Sequence, residues 1–237
     1  METNNHRAES ERACAGLVPI FPLPNAVLLP RTVLPLHVFE KRYRIMTREA
    51  LAGPRFVAIS LLKTGYEATY HTLDAPIHPV VCVGRILREE CLADGRYNFL
   101  LQGVTRARIV REDKGRPYRR AALEPLVAPP ANTLQENALR CELQRLLMSE
   151  PLAAMATQGH WFEILDCPDL TFSDLVDIIG SALLSCPEDK QHFLEEPCVM
   201  VRSKWLFGLL DMLIDPCDDA PQRPYKTRTW PPTSFAN

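Results

Sequence analysis

Cysteine or serine could supply a nucleophile in this 237-residue chain, and histidine could supply the base, so both Cys/His and Ser/His pairs are open. Cys82 and His37 stand in apolar, strand-like runs, Val80–Val83 and Leu36–Val38. A free cysteine in such a run is typically a small buried hydrophobe, and a histidine there typically packs in the core. An enzyme with a Cys/His pair assembled from distant positions stays open as an alternative, because such partners need not be neighbours in sequence. His37 is also a candidate binding residue, since histidine titrates near neutral pH.

The sequence motifs of several enzyme classes are absent. No glycine directly precedes a lysine, which excludes the phosphate-binding loop GxxxxGK[ST]. Neither HExxH nor GxSxG occurs, and the eight cysteines include no CxxC pair. We therefore expect no catalytic residue, no cofactor and no metal site.

A basic stretch covers residues 104–120, where acidic residues are fewer than basic ones. Its basic residues are Arg106, Arg108, Arg111, Lys114, Arg116, Arg119 and Arg120. One interpretation is a nucleic-acid surface, with Arg106 and Arg108 as candidate phosphate contacts. The other is a solvated strand face and hairpin that protect a sheet edge from pairing. The second is favoured, because only Tyr97 and Tyr118 lie near enough in sequence for base stacking.

Composition excludes two further classes. A formal net charge of −2 gives no overall field that would attract nucleic acid or anionic lipid. Hydrophobic residues at 46% and charged residues at 24% are ordinary for a globular protein and argue against wholesale disorder. The uncharged run 13–30 is interrupted by prolines, so we expect neither an export signal nor a membrane span. Scattered cysteines favour a reducing compartment, and we predict a cytoplasmic protein.

Residues 17 to about 127 show the alternation and turn signals of β-strands. Gly103 lies between two such runs, which indicates a bulge or bend of the kind that closes a sheet into a barrel. One helix, Glu40–Leu51, interrupts the strands and stops at Gly53. The predicted strands are Val18–Leu23, Ala26–Leu29, Val33–Phe39, Phe56–Leu62, Pro79–Glu90, Tyr97–Gln102, Val104–Val110 and Arg119–Leu126.

Residues 132 to 214 show helical periodicity. Thr133 and Glu136 have the spacing of a capping box, and Thr171 with Asp174 repeats it. Apolar residues at helical spacing follow each box. The chain is therefore predicted to be α+β, with a β-rich half before a helical bundle. The predicted segments are a flexible tail at 1–15, a β subdomain at 16–128, a helical subdomain at 129–215 and a Pro-rich tail at 216–237.

The opening of the β-rich half resembles a known family. The stretch from Leu17 to Met46 reads LVPIFPLPNAVLLPRTVLPLHVFEKRYRIM and is similar to the start of the Lon protease N-terminal domain, the LON substrate-binding domain. A second match begins at Gly84-Arg-Ile and continues through Gly95 to Ile109. The resemblance extends over about residues 17–214.

This resemblance implies a PUA-like closed β-barrel followed by an α-helical bundle. It also implies a free-standing LON-domain protein without the ATPase and Ser-Lys peptidase modules, for which no catalytic residue carries over. Where the family often has glycine after its "LFP" motif, this chain has Arg31. That difference bears on any shared surface contact at this turn.

The family motif has physical roles of its own. Its prolines fix φ and remove donors, so we expect these strands at sheet edges or crossing the end of a barrel. Glu40 lies near a helix N-terminus, and Arg42 is placed to pair with a carboxylate or a carbonyl. A structural role therefore stands beside a binding role for this motif, and the candidate binding residues are Arg31, His37, Glu40, Arg42, Tyr43, Arg106 and Arg108.

We predict a non-catalytic module that binds unfolded or extended polypeptide segments, acting in protein quality control or as an adaptor. A protease or chaperone is the expected partner, and no membrane is involved. The alternative is a nucleic-acid-binding PUA-like protein that uses the stretch Arg106–Arg120. Polypeptide binding would need an exposed apolar patch or an open strand edge.

Overall fold

The computed structural model describes residues 2–129, 132–150 and 152–215, with backbone only for residues 2–7. The chain divides into two compact units, Met1–Val127 and Ala128–Asn237. The sequence analysis places its boundary between residues 128 and 129. The expected mixture of strands and helices is confirmed, since the first unit holds a mixed sheet and the second unit is helical.

The first unit is built on a six-stranded sheet with the order β2-β5-β4-β3-β1-β6. β5 also pairs with β6, so pairing runs from β5 through β4, β3, β1 and β6 and returns to β5. β2 is attached to β5 outside this circuit. The strands are β1 Leu17–Leu23, β2 Val33–Val38, β3 Phe56–Leu61, β4 Val80–Cys91, β5 Tyr97–Asp113 and β6 Arg119–Pro125.

The prolines of β1 are accommodated because the two halves of the strand have different partners. Residues 17–20 pair antiparallel with β6, and residues 20–23 pair parallel with β3. Pro19 therefore has its recorded partner only on β6, and Pro22 only on β3. Proline has no N–H to donate, so each of these prolines can place its ring nitrogen on the side away from its partner strand, as proline does at a sheet edge.

The irregularity predicted at Gly103 is confirmed as a register shift between β4 and β5, but the two predicted strands on either side of it form one 17-residue strand, β5. The Gly103 N–H donates to the Thr32 carbonyl at 2.9 Å, and its carbonyl accepts from the Arg31 N–H at 2.8 Å. A Cβ at this position would lie 2.1 Å from the Leu29 oxygen, so only glycine fits. The predicted strand Ala26–Leu29 is also absent, because the Thr32 hydroxyl bonds both main-chain groups of Leu29 in a turn.

Two α-helices belong to the first unit, α1 Glu2–Ala13 and α2 Lys41–Ala52, with a short 3₁₀ turn at Glu67–Thr69. α1 occupies the segment for which the sequence analysis expected a flexible tail. Its C-terminal end is held by burial, since Ala13 and the following Cys14 join an apolar cluster of strand residues. The strand residues of this cluster are Val18, Ile20, Phe56, Ala58, Val81, Val83, Ala107, Ala121 and Leu123.

The second unit is helical over its described residues. Asn132, rather than Thr133, caps the first of these helices, since its side chain accepts from the Leu134 N–H at 3.0 Å. The capping box of Thr171 and Asp174 is confirmed, with both reciprocal bonds present. The helices are α3 Thr133–Leu147, α4 Leu152–Gln158, α5 Trp161–Leu165, α6 Phe172–Leu183, α7 Pro187–Glu195 and α8 Val199–Ile214.

Polar contacts tie these helices together. Arg202 of α8 and Asp177 of α6 form a salt bridge in which both side chains are almost fully buried. Arg202 also donates to the Ser173 hydroxyl at 2.8 Å. Arg140 of α3 donates to the main-chain carbonyl of Leu165 at 2.5 Å, at the C-terminal end of α5. A buried pair of this kind constrains how the helices pack, because either partner alone would be left charged in an apolar interior.

Two expectations concern the Pro-rich C-terminal segment and membrane-spanning helices. The predicted Pro-rich tail, residues 216–237, lies outside the described residues. Within the described ranges, none of the helices is both long and apolar enough to cross a bilayer.

Candidate functional site

The candidate site is the solvent-exposed face formed by β2 and its neighbours β5 and β4. Side chains alternate along β2, and Val33, Pro35 and His37 are the exposed set. Pro35 is opposite Leu100 of β5, and His37 is opposite Asn98. Leu100 is 37% exposed and Val33 is 48% exposed, although both are large apolar residues in paired strands. We call this surface the β2 face.

Apolar side chains extend the β2 face in two directions. Phe39 follows β2, is 62% exposed, and stacks on the His37 ring with centroids 6.2 Å apart. Leu87 is 45% exposed at a register shift of β4, where the strand opposes Leu100. Scattered exposed apolar residues are ordinary, but a contiguous group of them marks a binding surface.

An open cavity of about 680 Å³ lies on the β2 face. Its size matches the range of small-molecule and peptide side-chain pockets. Apolar and charged groups both contribute to it, and the Arg55 side chain holds Glu89 in place through a salt bridge. The lining residues are Pro35, Leu36, His37, Arg88, Glu89, Glu90, Asn98, Phe99 and Leu100.

A chain of hydrogen bonds crosses the cavity and fixes its polar side chains. Asn98 donates from Nδ2 to Glu90 Oε2 at 3.1 Å, and its Oδ1 is 2.6 Å from His37 Nδ1. The other ring nitrogen, Nε2, is 3.2 Å from Arg96 Nη1, and Arg96 donates to Asp94 at 2.6 Å. A neutral His37 with its proton on Nδ1 satisfies both neighbours, since Nδ1 donates to Asn98 and Nε2 accepts from Arg96.

The predicted residues Glu40, Arg42 and Tyr43 come together, but at a different place from His37. Arg42 donates to Glu40 at 3.0 Å and to the Tyr70 carbonyl at 2.9 Å, and its guanidinium lies 4.5 Å from the centre of the Tyr43 ring. The Tyr70 hydroxyl donates to Glu40 at 3.0 Å. These contacts fasten the loop after β3 to the start of α2, so their geometry fits the structural role of the motif.

Burial favours the neutral form of Tyr43 and Tyr70 in this cluster. Desolvation raises the pKa of Tyr43 far above its ordinary value, and it also raises the pKa of Tyr70, with a further contribution from the hydrogen bond to Glu40. The enclosed cavity beside them, lined by Arg42, Tyr118 and Arg119 among others, is only about 10 Å³. That is room for about one water molecule, not for a ligand.

Arg31 lies at the turn before β2, with its backbone in the left-handed region at φ 64°. Its N–H donates to the Gly103 carbonyl, which joins the turn to β5. Glycine adopts this conformation without steric cost, which gives a physical reason for the glycine often found at this position in the resembling family.

The basic stretch is largely neutralised by acidic neighbours. Arg119 binds Glu112 through two hydrogen bonds of 2.7 and 2.8 Å, and Arg120 binds Asp113. The hydrogen bond from Arg120 lowers the pKa of the Asp113 carboxyl. The two predicted phosphate contacts are separated by burial, since Arg106 is only 7% exposed whereas Arg108 is exposed.

Among the described cysteines, Cys14 and Cys82 are buried, whereas Cys91 and Cys141 are exposed. Cys82 is fully buried in β4, opposite Ile59 and Arg106. The cavity that contains His37 has no cysteine among its lining residues. No group of three or more potential metal-ligating side chains occurs in the described part of the chain.

Sequence reasoning found His37 but missed the other residues around it. Leu100, Asn98 and Arg88 are distant from β2 in sequence and join it only through the register of β2 with β5 and of β5 with β4. The signal that could have found them is the alternation over residues 97–101, where the less buried Asn98 and Leu100 lie between the buried Tyr97, Phe99 and Leu101.

Comparisons with known proteins agree with this architecture. The family model for the ATP-dependent protease La (LON) substrate-binding domain matches residues 17–212. The Lon protease of Desulfosudis oleivorans is 27% identical over 191 residues, which cover 79% of this chain and 23% of that protein. The Lon protease of Trichlorobacter lovleyi is 32% identical over 159 residues, covering 64% of this chain and 18% of that protein. The chain thus spans about a quarter or less of the length of these relatives.

Two solved structures share the fold. The N-terminal domain of Mycobacterium avium complex Lon protease is 21% identical with a TM-score of 0.62, and the match covers 83% of this chain and 98% of that one. The Lon N-terminal domain protein from Xanthomonas campestris is 19% identical with a TM-score of 0.56, covering 81% and 98%. With a family model that matches most of its length, the chain belongs to the LON substrate-binding domain family.

Proposed function

We propose that the protein is a non-catalytic module that binds unfolded or extended polypeptide segments on the β2 face. The observation that carries this proposal is the exposed apolar surface around Leu100 and Pro35, which borders an open cavity of about 680 Å³. Membership of a family described as a substrate-binding domain supports the same function.

The chemistry of the cavity favours a polypeptide over a polyanion. Pro35 and Leu100 supply apolar contact, and each fully buried apolar side chain of a ligand would contribute about 1.5–3 kcal/mol. The lining holds Glu89 and Glu90 beside Arg88, so it is not the uniformly basic surface that a polyanion requires. The Asn98 amide uses one N–H for Glu90, and its second N–H could donate to a peptide backbone, whereas both ring nitrogens of His37 already have partners.

We further propose that a bound segment is passed to a protease or chaperone, so that the protein acts in quality control or as an adaptor. The relatives named Lon protease support a protease context, because the matched region forms only part of each of them. The described cysteines are all free thiols, which supports the expectation of a reducing, cytoplasmic environment.

The circular strand pairing supports a finer statement about the fold. We propose that the circuit β5-β4-β3-β1-β6 forms a closed, PUA-like β-barrel around the apolar cluster of the first unit. The nucleic-acid alternative has no comparable support, because acidic partners offset much of the basic stretch.

The experiment is a binding titration with reduced, carboxymethylated α-lactalbumin, a permanently unfolded polypeptide, followed by fluorescence anisotropy. Leu100→Glu places a charge in the centre of the β2 face. Val110→Glu is the matched control, since Val110 is an exposed apolar residue of the same strand, 62% exposed and outside the cavity lining. Thermal unfolding of both variants checks that they remain folded.

We expect saturable binding by the unmodified protein and by Val110→Glu, and at least about tenfold weaker binding by Leu100→Glu, since a buried unpaired charge is costly. Absence of saturable binding to the unmodified protein would refute polypeptide binding. Equal binding by both variants would place any bound polypeptide elsewhere.

A further inference from the structure

We infer that a bound polypeptide adds to the free edge of β2 as an additional strand, which finds main-chain donors on either side of Pro35 but none at Pro35 itself. This inference rests on the proposed polypeptide binding and specifies its mode. Among the described residues, β2 pairs only with β5, so its opposite edge carries no partner strand. An unpaired edge presents main-chain donors and acceptors that another extended chain can satisfy.

The main-chain groups that point outward follow from the proline. The ladder between β2 and β5 runs without a break from Val33 to Val38, past Pro35. Because proline has no N–H, its neighbours Leu34 and Leu36 must provide the bonds to β5. Two residues before Leu34, the Thr32 carbonyl accepts from the Gly103 N–H of β5, so Thr32 bonds toward β5 as Leu34 and Leu36 do. Val33, Pro35 and His37 therefore direct their main-chain groups to the free edge.

This arrangement defines what an added strand can do. Val33 and His37 each offer both an N–H and a carbonyl, whereas Pro35 offers a carbonyl only. The residue of the added strand that lies opposite Pro35 donates its N–H to the Pro35 carbonyl. Its own carbonyl finds no donor on β2 and stays in water. Pairing is thus strongest opposite Val33 and His37, four residues apart. A shift of the added strand by one residue, without rotation, would lose the hydrogen bonds at both positions.

The side chains of the added strand determine its chemical class. In a paired strand, every second side chain lies on the same face as Val33, Pro35 and Leu100. These exposed neighbours are apolar, and the cavity begins beside them. The lining holds Arg88 beside Glu89 and Glu90, so it offers no uniform charge to a charged segment. The partner that fits is an extended segment with apolar side chains at alternate positions.

Residue-resolved amide exchange of the full chain tests this mode. The probe is again reduced, carboxymethylated α-lactalbumin at saturating concentration, and exchange is followed by NMR. We expect the amides of Val33 and His37 to exchange at least about fivefold more slowly with the probe bound. The amides of Leu34 and Leu36 already bond to β5, so they serve as internal references.

A pair of variants separates the main chain from the side chain. His37→Ala removes the imidazole but keeps the N–H, whereas His37→Pro removes both. If the outward N–H is used, His37→Pro binds the probe about fivefold more weakly than His37→Ala, the loss expected for one hydrogen bond. Where His37→Pro fails to fold, the exchange measurement on the unmodified protein decides.

Three results overturn the inference. Saturable binding with unchanged exchange at Val33 and His37 would refute strand addition while leaving the proposed function intact. Absence of saturable binding removes the proposed function and this mode with it. Slow exchange at these amides before the probe is added, increasing with protein concentration, would show that a second copy of the chain occupies the edge.

Discussion

Substitution of Gly103 by alanine gives the sharpest structural prediction, because this glycine holds the turn from which β2 starts. An added Cβ would lie 2.1 Å from the Leu29 oxygen and 2.8 Å from its carbonyl carbon, well below the 3.0 Å that real Cβ contacts respect. These are backbone atoms, so no side-chain rotation relieves the clash. A shift of about 1 Å would break the bonds to Arg31 and Thr32, and we expect a loss of about 3 kcal/mol in the free energy of unfolding.

Denaturant unfolding followed by circular dichroism measures this loss. Gly53→Ala is the control, because a Cβ there would meet nothing closer than 3.4 Å and its φ is −113°. Since Gly103 positions β2, the alanine variant should also bind unfolded polypeptide more weakly. A destabilisation below about 1 kcal/mol, equal to that of the control, would refute the close approach of β5 to the turn.

Three further substitutions test particular contacts. Burial raises the pKa of the Cys14 thiol to about 11 from an ordinary value of 9.0, so folding favours its neutral form and the unmodified protein loses stability between pH 9 and 11. Chemical denaturation across that range should show a smaller loss for Cys14→Ala, and an identical loss would contradict burial. Asp177→Ala leaves Arg202 charged in the interior and should cost about 3–5 kcal/mol; a cost under about 1 kcal/mol would contradict a buried pair. Glu40→Ala removes the acceptor of Arg42 and Tyr70 and should lower the free energy of unfolding by about 2 kcal/mol. It should also speed proteolysis of the loop at residues 63–79. Unchanged proteolysis would show that this cluster does not hold the loop.

Local sequence patterns predicted those parts of the fold that local physics controls. The capping box of Thr171 and Asp174 forms as predicted, because all its partners lie within four residues. At the start of α3 the same pattern was misleading, since Asn132, a strong capping residue one position earlier, accepts the bond instead. The helix α1 was missed because its sequence is polar, although Ala13 at its end and the following Cys14 belong to the apolar core.

The candidate site could be predicted only in part, because it depends on pairing between distant segments. The expectation of an edge strand holds for Pro35, which lies in a strand that pairs only with β5 among the described residues, whereas β1, with Pro19 and Pro22, lies between β3 and β6. Nothing local shows that Leu100 would stand beside Pro35, since this contact follows from register across about sixty residues of chain. The motif around Glu40 and Arg42 attracted attention through its charges, but the structure uses those charges to hold a loop.

The positions of proline and glycine around β2 act together. Gly103 lets the turn at Leu29 approach β5, and Arg31 completes the turn in a left-handed conformation. Pro35 then interrupts the donor row of the free edge, which limits indiscriminate pairing with other sheets. The result is an edge that remains available but offers a main-chain donor at Val33 and His37 and none at Pro35.

Site-specific photo-crosslinking tests the central claim most directly. p-Benzoylphenylalanine is placed in turn at position 100, on the β2 face, and at position 110, an exposed apolar site on the same strand. With reduced, carboxymethylated α-lactalbumin present, we predict crosslinks from position 100 and few from position 110. Crosslinks from position 110 with none from position 100 would contradict the assignment of polypeptide binding to the β2 face.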